Sequence, residues 1–213
     1  MFCRRLNGKS ELKLCGIVSP YLVVILGVFF FKNGFFAVLL YHLILLICII
    51  RINRSQALKL LLSGFQRYIG LLICLSGLLP GVVIFLLWPT AKLESVDLAQ
   101  LMKSVNLTDT SFTVFALYAC LINPFLEESF WRGCFKPGSW IPNPIDALFA
   151  GYHAIVLIPV VKPIFVLLCF MALMFVGWIF RNIYRLTGGL AIPLLTHIVA
   201  DIAILYGIWK IMQ

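Results

Sequence analysis

The sequence predicts an all-α protein, a polytopic transmembrane helix bundle of about seven spans with short interfacial helices. Three observations predict it. Of the 213 residues, 62% are hydrophobic and 12% are charged, whereas a soluble domain averages about half apolar and about a quarter charged. The mean hydropathy is +1.06. Several apolar runs reach or approach the roughly 20 residues a helix needs to cross a bilayer. The chain therefore reads as a single integral membrane domain over 1–213, with no soluble domain attached.

Helix 1 is expected at about 17–31, after a basic start formed by Arg4, Arg5, Lys9 and Lys13. Such a start imitates a signal peptide. No small-residue cleavage site follows and further spans do, so the run is read as a retained first span. Lys32-Asn33-Gly34 is a tight break, and helix 2 follows to about 50. The stretch 51–68 carries Arg51, Arg54, Lys59 and Arg67, and its apolar middle, 57–65, suits the headgroup layer. Helix 3 is expected at about 69–88, closed by Pro89. Leu93, Val96, Leu101, Met102 and Val105 then recur at helical spacing, which predicts a second interfacial helix. Helix 4 is expected at about 112–135, followed by a Pro/Gly/Asn-rich loop over 136–144. Helix 5, at about 145–158, is short for a span and is broken by Pro159 and Pro163. Helix 6 covers about 164–180, a basic loop 181–189, and helix 7 about 190–212, with no internal repeat visible.

The formal net charge is +9. In a membrane chain, Lys and Arg mark the cytoplasmic loops and meet anionic headgroups of the bilayer. No basic patch with interleaved aromatics is present, so nucleic acid is not an expected partner. Basic residues precede helix 1, separate helices 2 and 3, surround Arg132 and Lys136, and recur at Arg181 and Arg185. The alternate loops balance Lys32, Lys92, Lys103 and Lys162 against Glu94, Asp97 and Asp109. The N-terminus is therefore expected in the cytoplasm, and with seven spans the C-terminus outside. An eighth span hidden in this segmentation would reverse that end. Trp88, Trp131, Trp178 and Trp209 fall near span ends and read as interface anchors. The seven cysteines form no CxxC pair and mostly lie in apolar runs, so they read as buried free thiols.

The chemistry lies in the few polar residues inside spans. Among eight acids and three histidines, Glu127, Glu128, Asp201, His42, His153 and His197 fall there. A charge at a helix centre costs roughly 2.5 to 3.5 kcal/mol on insertion scales, and such residues usually face a bundle interior or a wet cavity. Helix 4 descends to the cytoplasm while helices 5 and 7 rise from it, which places Glu127, His153 and His197 roughly 10 to 12 Å inside the cytoplasmic face. Three helices bringing polar groups to one level is what a single buried site requires. Glu128 and Arg132 are spaced i,i+4 with the acid first, the better order for an ion pair. At about 100° per residue Glu127 cannot share the direction of Glu128, so one glutamate pairs with arginine while the other faces the cavity. His197 and Asp201 are also four apart. Pro124 frees a backbone carbonyl just before the acids, which allows a kink that admits water. His42 fits no motif and reads as structural.

Glu-Glu-Ser-Phe-Trp-Arg (127–132) fits EExxxR, Phe-Ala-Gly-Tyr-His (149–153) fits FxxxH, and His-Ile-Val-Ala-Asp (197–201) fits HxxxN/D. In this order on late helices the three motifs resemble the CPBP family, the CAAX prenyl endopeptidases and bacteriocin-processing or self-immunity proteins. The resemblance covers about 112–206. It implies intramembrane hydrolysis of a peptide bond in a membrane-associated peptide or protein. In that reading Glu127 and His153 hold and activate one water, and His197, oriented by Asp201, stabilises the oxyanion. Glu128 and Arg132 form a structural ion pair. The prenyl-processing members carry Asn where this chain has Asp201. Many bacterial members are similar to it in having Asp, which points away from a prenylated substrate. Zinc is the open cofactor question, with Glu127, His153 and His197 as its ligands if it is used. No HExxH is present, and a metal-free glutamate mechanism is favoured. Two rivals stand beside the protease. A non-catalytic immunity or scaffold member would keep the same residues. A small-solute or proton transporter would also bury acids and histidines, but would normally show repeated halves.

Overall fold

The computed structural model describes residues 8–213, with the side chains of Arg54 and Asp109 left aside. Arg4, Arg5 and Cys3 lie outside the described residues. Every regular element among those described is helical. α1 (Gly8–Val24) passes into a π-helical segment, Ile25–Phe30. Lys32 then takes a positive φ of 48°, and Asn33 caps α2 (Gly34–Leu61) by accepting from the Phe36 N–H at 3.0 Å. The break expected at 32–34 is therefore a capped turn. α3 (Arg67–Ser76) and α4 (Leu79–Ala91) form one long limb with a hinge at Gly77 and Leu78. α5 (Leu98–Ser104) is a short connector. α6 (Asp109–Glu127) gives way to a π-helical turn, Glu128–Gly133. α7 (Pro144–Leu157), α8 (Pro163–Thr187) and α9 (Ala191–Met212) complete the chain.

Several expected boundaries move. α1 begins well before residue 17, because its polar first turns remain helical outside the apolar run. Pro89 does not close helix 3 but lies inside α4. The basic stretch after residue 50 is helical as far as Leu61 and is set off from the span before it. It continues α2 past a kink at Asn53, whose φ and ψ are −145° and 28° and whose side chain donates to the Gly133 carbonyl at 2.9 Å. The second interfacial helix is confined to Leu98–Ser104. Residues 181–187 are not a loop but the last two turns of α8, which ends at Gly188 with φ 70°, the left-handed conformation that glycine adopts without a Cβ clash.

Among the described residues six helices are long and apolar enough to cross a membrane. α7 has 14 residues, about 21 Å of helix, against a hydrocarbon core of about 30 Å. It still acts as a seventh limb. Along α3–α4, Gly70 faces Ile192, Gly77 faces Thr196 and Val199, and Gly81 faces Ala203. Both chains advance together, so this limb and α9 run parallel. Between them α6, α7 and α8 must supply three alternating directions. A Cβ on Gly81 would come within 2.2 Å of the Ala203 carbonyl oxygen. Only glycine permits this backbone approach, the device by which membrane helices pack closely.

One end of the bundle gathers the Leu190 N–H on the Leu60 carbonyl (2.8 Å) and the Ala191 N–H on the Ser63 carbonyl (3.0 Å). The other gathers Gly34 on Val105, Leu93 on Val160 and Lys162 on Ala91. The largest buried cluster joins Leu45 and Cys48 of α2, Phe130 and Trp131 of the π turn, and Phe149 and Tyr152 of α7. It surrounds the segment where the acidic residues sit.

Candidate active site

Glu127 closes α6 and Glu128 opens the π turn. Both are buried, 1% and 0% exposed, so neither carboxylate reaches lipid or the aqueous face. The sequence reading sent the two glutamates in different directions. The structure brings both to His197. Its Nδ1–H donates to Glu128 Oε1 at 2.9 Å, and its Nε2 lies 3.7 Å from Glu127 Oε2. The two carboxylates meet different nitrogens of that ring, at the point where the backbone passes into an i→i+5 turn. The Glu128–Arg132 pair forms as expected, with Arg132 Nη1 donating to Glu128 Oε1 at 3.1 Å. The guanidinium lies 4.1 Å over the Phe149 ring, so an apolar wall covers the charge.

α7 contributes two adjacent side chains. The Tyr152 hydroxyl donates to Glu127 Oε1, and its ring stacks on Trp131 with centroids 6.0 Å apart. His153 packs against Tyr152 with centroids 4.0 Å apart. The His153 Nδ1 lies 2.9 Å from the Phe149 carbonyl oxygen. A carbonyl only accepts, so Nδ1 carries the proton and Nε2 presents a lone pair. His153 lies within electrostatic reach of Glu127 and His197.

α9 contributes His197 and Asp201. Asp201 Oδ1 lies 3.6 Å from His197 Nε2. Its other oxygen accepts from Asn123 Nδ2 at 3.1 Å. Glu127, His153, His197 and Asp201 thus lie where α6, α7 and α9 face one another. They lie roughly 9 to 15 Å from the helix ends at 133, 144 and 191. The reading missed Tyr152 and Asn123. Both sit beside motif residues, in FAGYH and in Asn-Pro-Phe-Leu-Glu-Glu, which is the signal that could have raised them. Trp131, expected at the membrane interface, is instead buried, and its Nε1–H donates to Tyr41 at 3.0 Å.

Residues 109–203 match the family described as type II CAAX prenyl endopeptidase Rce1-like. This stretch, a little under half of the chain, is similar to the CAAX-protease family. No curated protein and no solved structure matches the chain. The matched segment runs from the start of α6 to just past the middle of α9, so it contains all three motifs and the polar cluster just described. α1, α2 and α3–α4 lie outside it and wall that cluster.

The donor types in this candidate site, one carboxylate and two imidazoles, are ones that zinc accepts. Among the described residues no three His, Cys, Asp or Glu side chains are grouped closely enough to hold a metal ion. His197 Nδ1 is engaged by Glu128, which leaves Nε2 as the nitrogen turned to Glu127. No step below is routed through a metal.

Proposed function

We propose that the chain is an intramembrane endopeptidase that hydrolyses a peptide bond of a membrane-associated peptide or protein. The reaction is attack by one water that Glu127 activates. The observation that carries this reading is Glu127 Oε2. It is buried, has no hydrogen-bond partner among the described residues, and faces His197 Nε2 at 3.7 Å. A buried carboxylate oxygen without a donor is costly, and a reacting water supplies that donor.

In the reaction the water oxygen attacks the carbonyl carbon while its proton passes to Glu127. His153 Nε2 accepts the second hydrogen of the water and sets its direction. The carbonyl oxygen becomes the oxyanion, and His197, as the imidazolium that also donates Nδ1–H to Glu128, donates to it from Nε2–H. Asp201 orients His197 from the next turn of α9. The C–N bond then breaks, and Glu127 returns its proton to the leaving amine. Glu128 and Arg132 hold the π turn in register. Asp201 directs the reading toward an unprenylated peptide. The distribution of basic residues supports a cytoplasmic N-terminus and a site near the cytoplasmic leaflet.

The test uses the purified chain in proteoliposomes with two quenched fluorogenic peptides, one carrying a prenylated C-terminus and one an unprenylated apolar leader. Glu127→Ala, His153→Ala and His197→Ala are each expected to abolish cleavage while the protein still inserts and stays monodisperse. Full activity in Glu127→Ala would reject the assignment. Activity that persists after chelation, with no zinc by elemental analysis, supports the metal-free mechanism. Loss on chelation and recovery with zinc refutes it.

A further inference from the structure

His42 is 2% exposed on α2, outside the three motifs and outside the matched segment. A buried imidazole needs partners for both nitrogens. Its Nδ1 lies 2.9 Å from the Tyr118 hydroxyl and its Nε2 lies 3.0 Å from Asn123 Oδ1. Asn123 Nδ2 in turn donates to Asp201 Oδ2 at 3.1 Å, and Asp201 Oδ1 faces His197 Nε2 at 3.6 Å. Every link is between side chains, a class that makes up only about 10–15% of protein hydrogen bonds. The line crosses from α2 through α6 to α9 and ends on the histidine of the candidate site.

The direction of each bond follows from the chemistry. A carboxylate only accepts, so Asn123 must turn its amide NH2 toward Asp201 and its oxygen toward His42. That oxygen only accepts, so His42 carries its proton on Nε2. His42 Nδ1 is then an acceptor, and the Tyr118 hydroxyl donates to it. His42 thereby keeps the Asn123 amide from flipping, since a flip would set two oxygens against each other at Asp201. We propose that His42 and Asn123 are positioning residues of the active site, acting through Asp201 to fix the orientation of His197. Asp201 needs this support because a carboxylate held only by a neighbour one turn away can rotate off the imidazole. Networks of this kind are worth more than their separate bonds when every member is satisfied.

The kinetic consequence rests on the peptidase reading, but the orientation itself does not. The chain has three histidines, so 15N-histidine labelling followed by solid-state NMR in lipid bilayers reads each ring, with assignment by single His→Gln variants. His42 is expected as the neutral ring protonated on Nε2, whereas His153 and His197 carry a proton on Nδ1. Asn123→Leu is expected to shift the ring-nitrogen signals of His197, which Asn123 does not touch. In proteoliposomes Asn123→Leu and His42→Leu are expected to lower kcat about ten- to a hundredfold with KM changed by less than about twofold. His42→Gln keeps a donor for Asn123 and should recover most of that loss. If Asn123→Leu does not fold, the same spectra of His42→Leu carry the test. A proton on His42 Nδ1, or His197 signals that ignore the substitution, would overturn the inference. Glu127→Ala, assayed beside them, reports on the peptidase reading alone.

Discussion

Tyr152 stands one residue before His153, and its hydroxyl is engaged by Glu127. With Oε1 held in this way, Oε2 is the oxygen turned toward His197. The phenylalanine analogue keeps the ring contacts with Trp131 and His153 and removes only the donor. A hydrogen bond to a charged group is worth about 1.5–3 kcal/mol, so Tyr152→Phe should lower kcat about ten- to a hundredfold at nearly constant KM. Unchanged kcat would show that Glu127 needs no such support. At this scale the motif residues were readable because charge inside an apolar run is conspicuous. Tyr152, Asn123 and His42 were not, because a tyrosine, an asparagine or a lone histidine within a span is usually a packing residue. What makes these three functional candidates is which atoms they meet, and those atoms belong to other helices.

Arg181 shows the same limit for whole elements. Near the end of an apolar run an arginine reads as the start of a cytoplasmic loop. The structure places it inside α8, where Nε and Nη2 bind Asp146 at 3.1 and 2.7 Å. Its guanidinium also donates to the carbonyls of Pro137, Ser139 and Ile141. Asp146 in turn accepts from the Asn143 N–H at 2.9 Å, closing the capping box of α7. One arginine therefore ties α8 to the loop over 136–143 and to the first turn of α7, the helix that carries Tyr152 and His153. Removing one partner of a buried pair strands the other charge and costs about 3–5 kcal/mol. Arg181→Met is expected to destabilise the protein by about that amount, measured as earlier unfolding in a detergent–denaturant titration. Unfolding indistinguishable from the parent would mean that the pair holds nothing in place. The π turn belongs at this scale too. Sequence periodicity assumes 3.6 residues per turn, and nothing in Glu-Ser-Phe-Trp-Arg-Gly announces that the turn widens.

Across the whole molecule, the contact of α4 with α9 decides how the site is closed. α9 carries His197 and Asp201, and its backbone comes so near Gly81 that a methyl group would meet a carbonyl oxygen. Backbone cannot rotate out of the way as a side-chain tip can. Gly81→Ala should therefore push α9 outward, destabilise the fold by about 1–3 kcal/mol as overpacking does, and reduce cleavage through His197. Gly8, which has nothing within 4 Å of an added Cβ, provides the control. Gly8→Ala should leave both properties unchanged. Equal behaviour of the two variants would remove the close approach from the account.

Composition and run length were enough to determine that this chain is a membrane-embedded bundle of helices. Both are properties summed over many residues, and the cost of placing unpaired backbone in lipid leaves a helical chain few other choices. Motif order was enough to point to the protease family. Only tertiary structure decided that both glutamates meet one histidine, that Tyr152 and Asn123 join them, and that α7 completes the bundle while too short to match the bilayer. Those outcomes depend on the local width of a helix turn and on distances between helices far apart in sequence. A one-dimensional pattern carries neither.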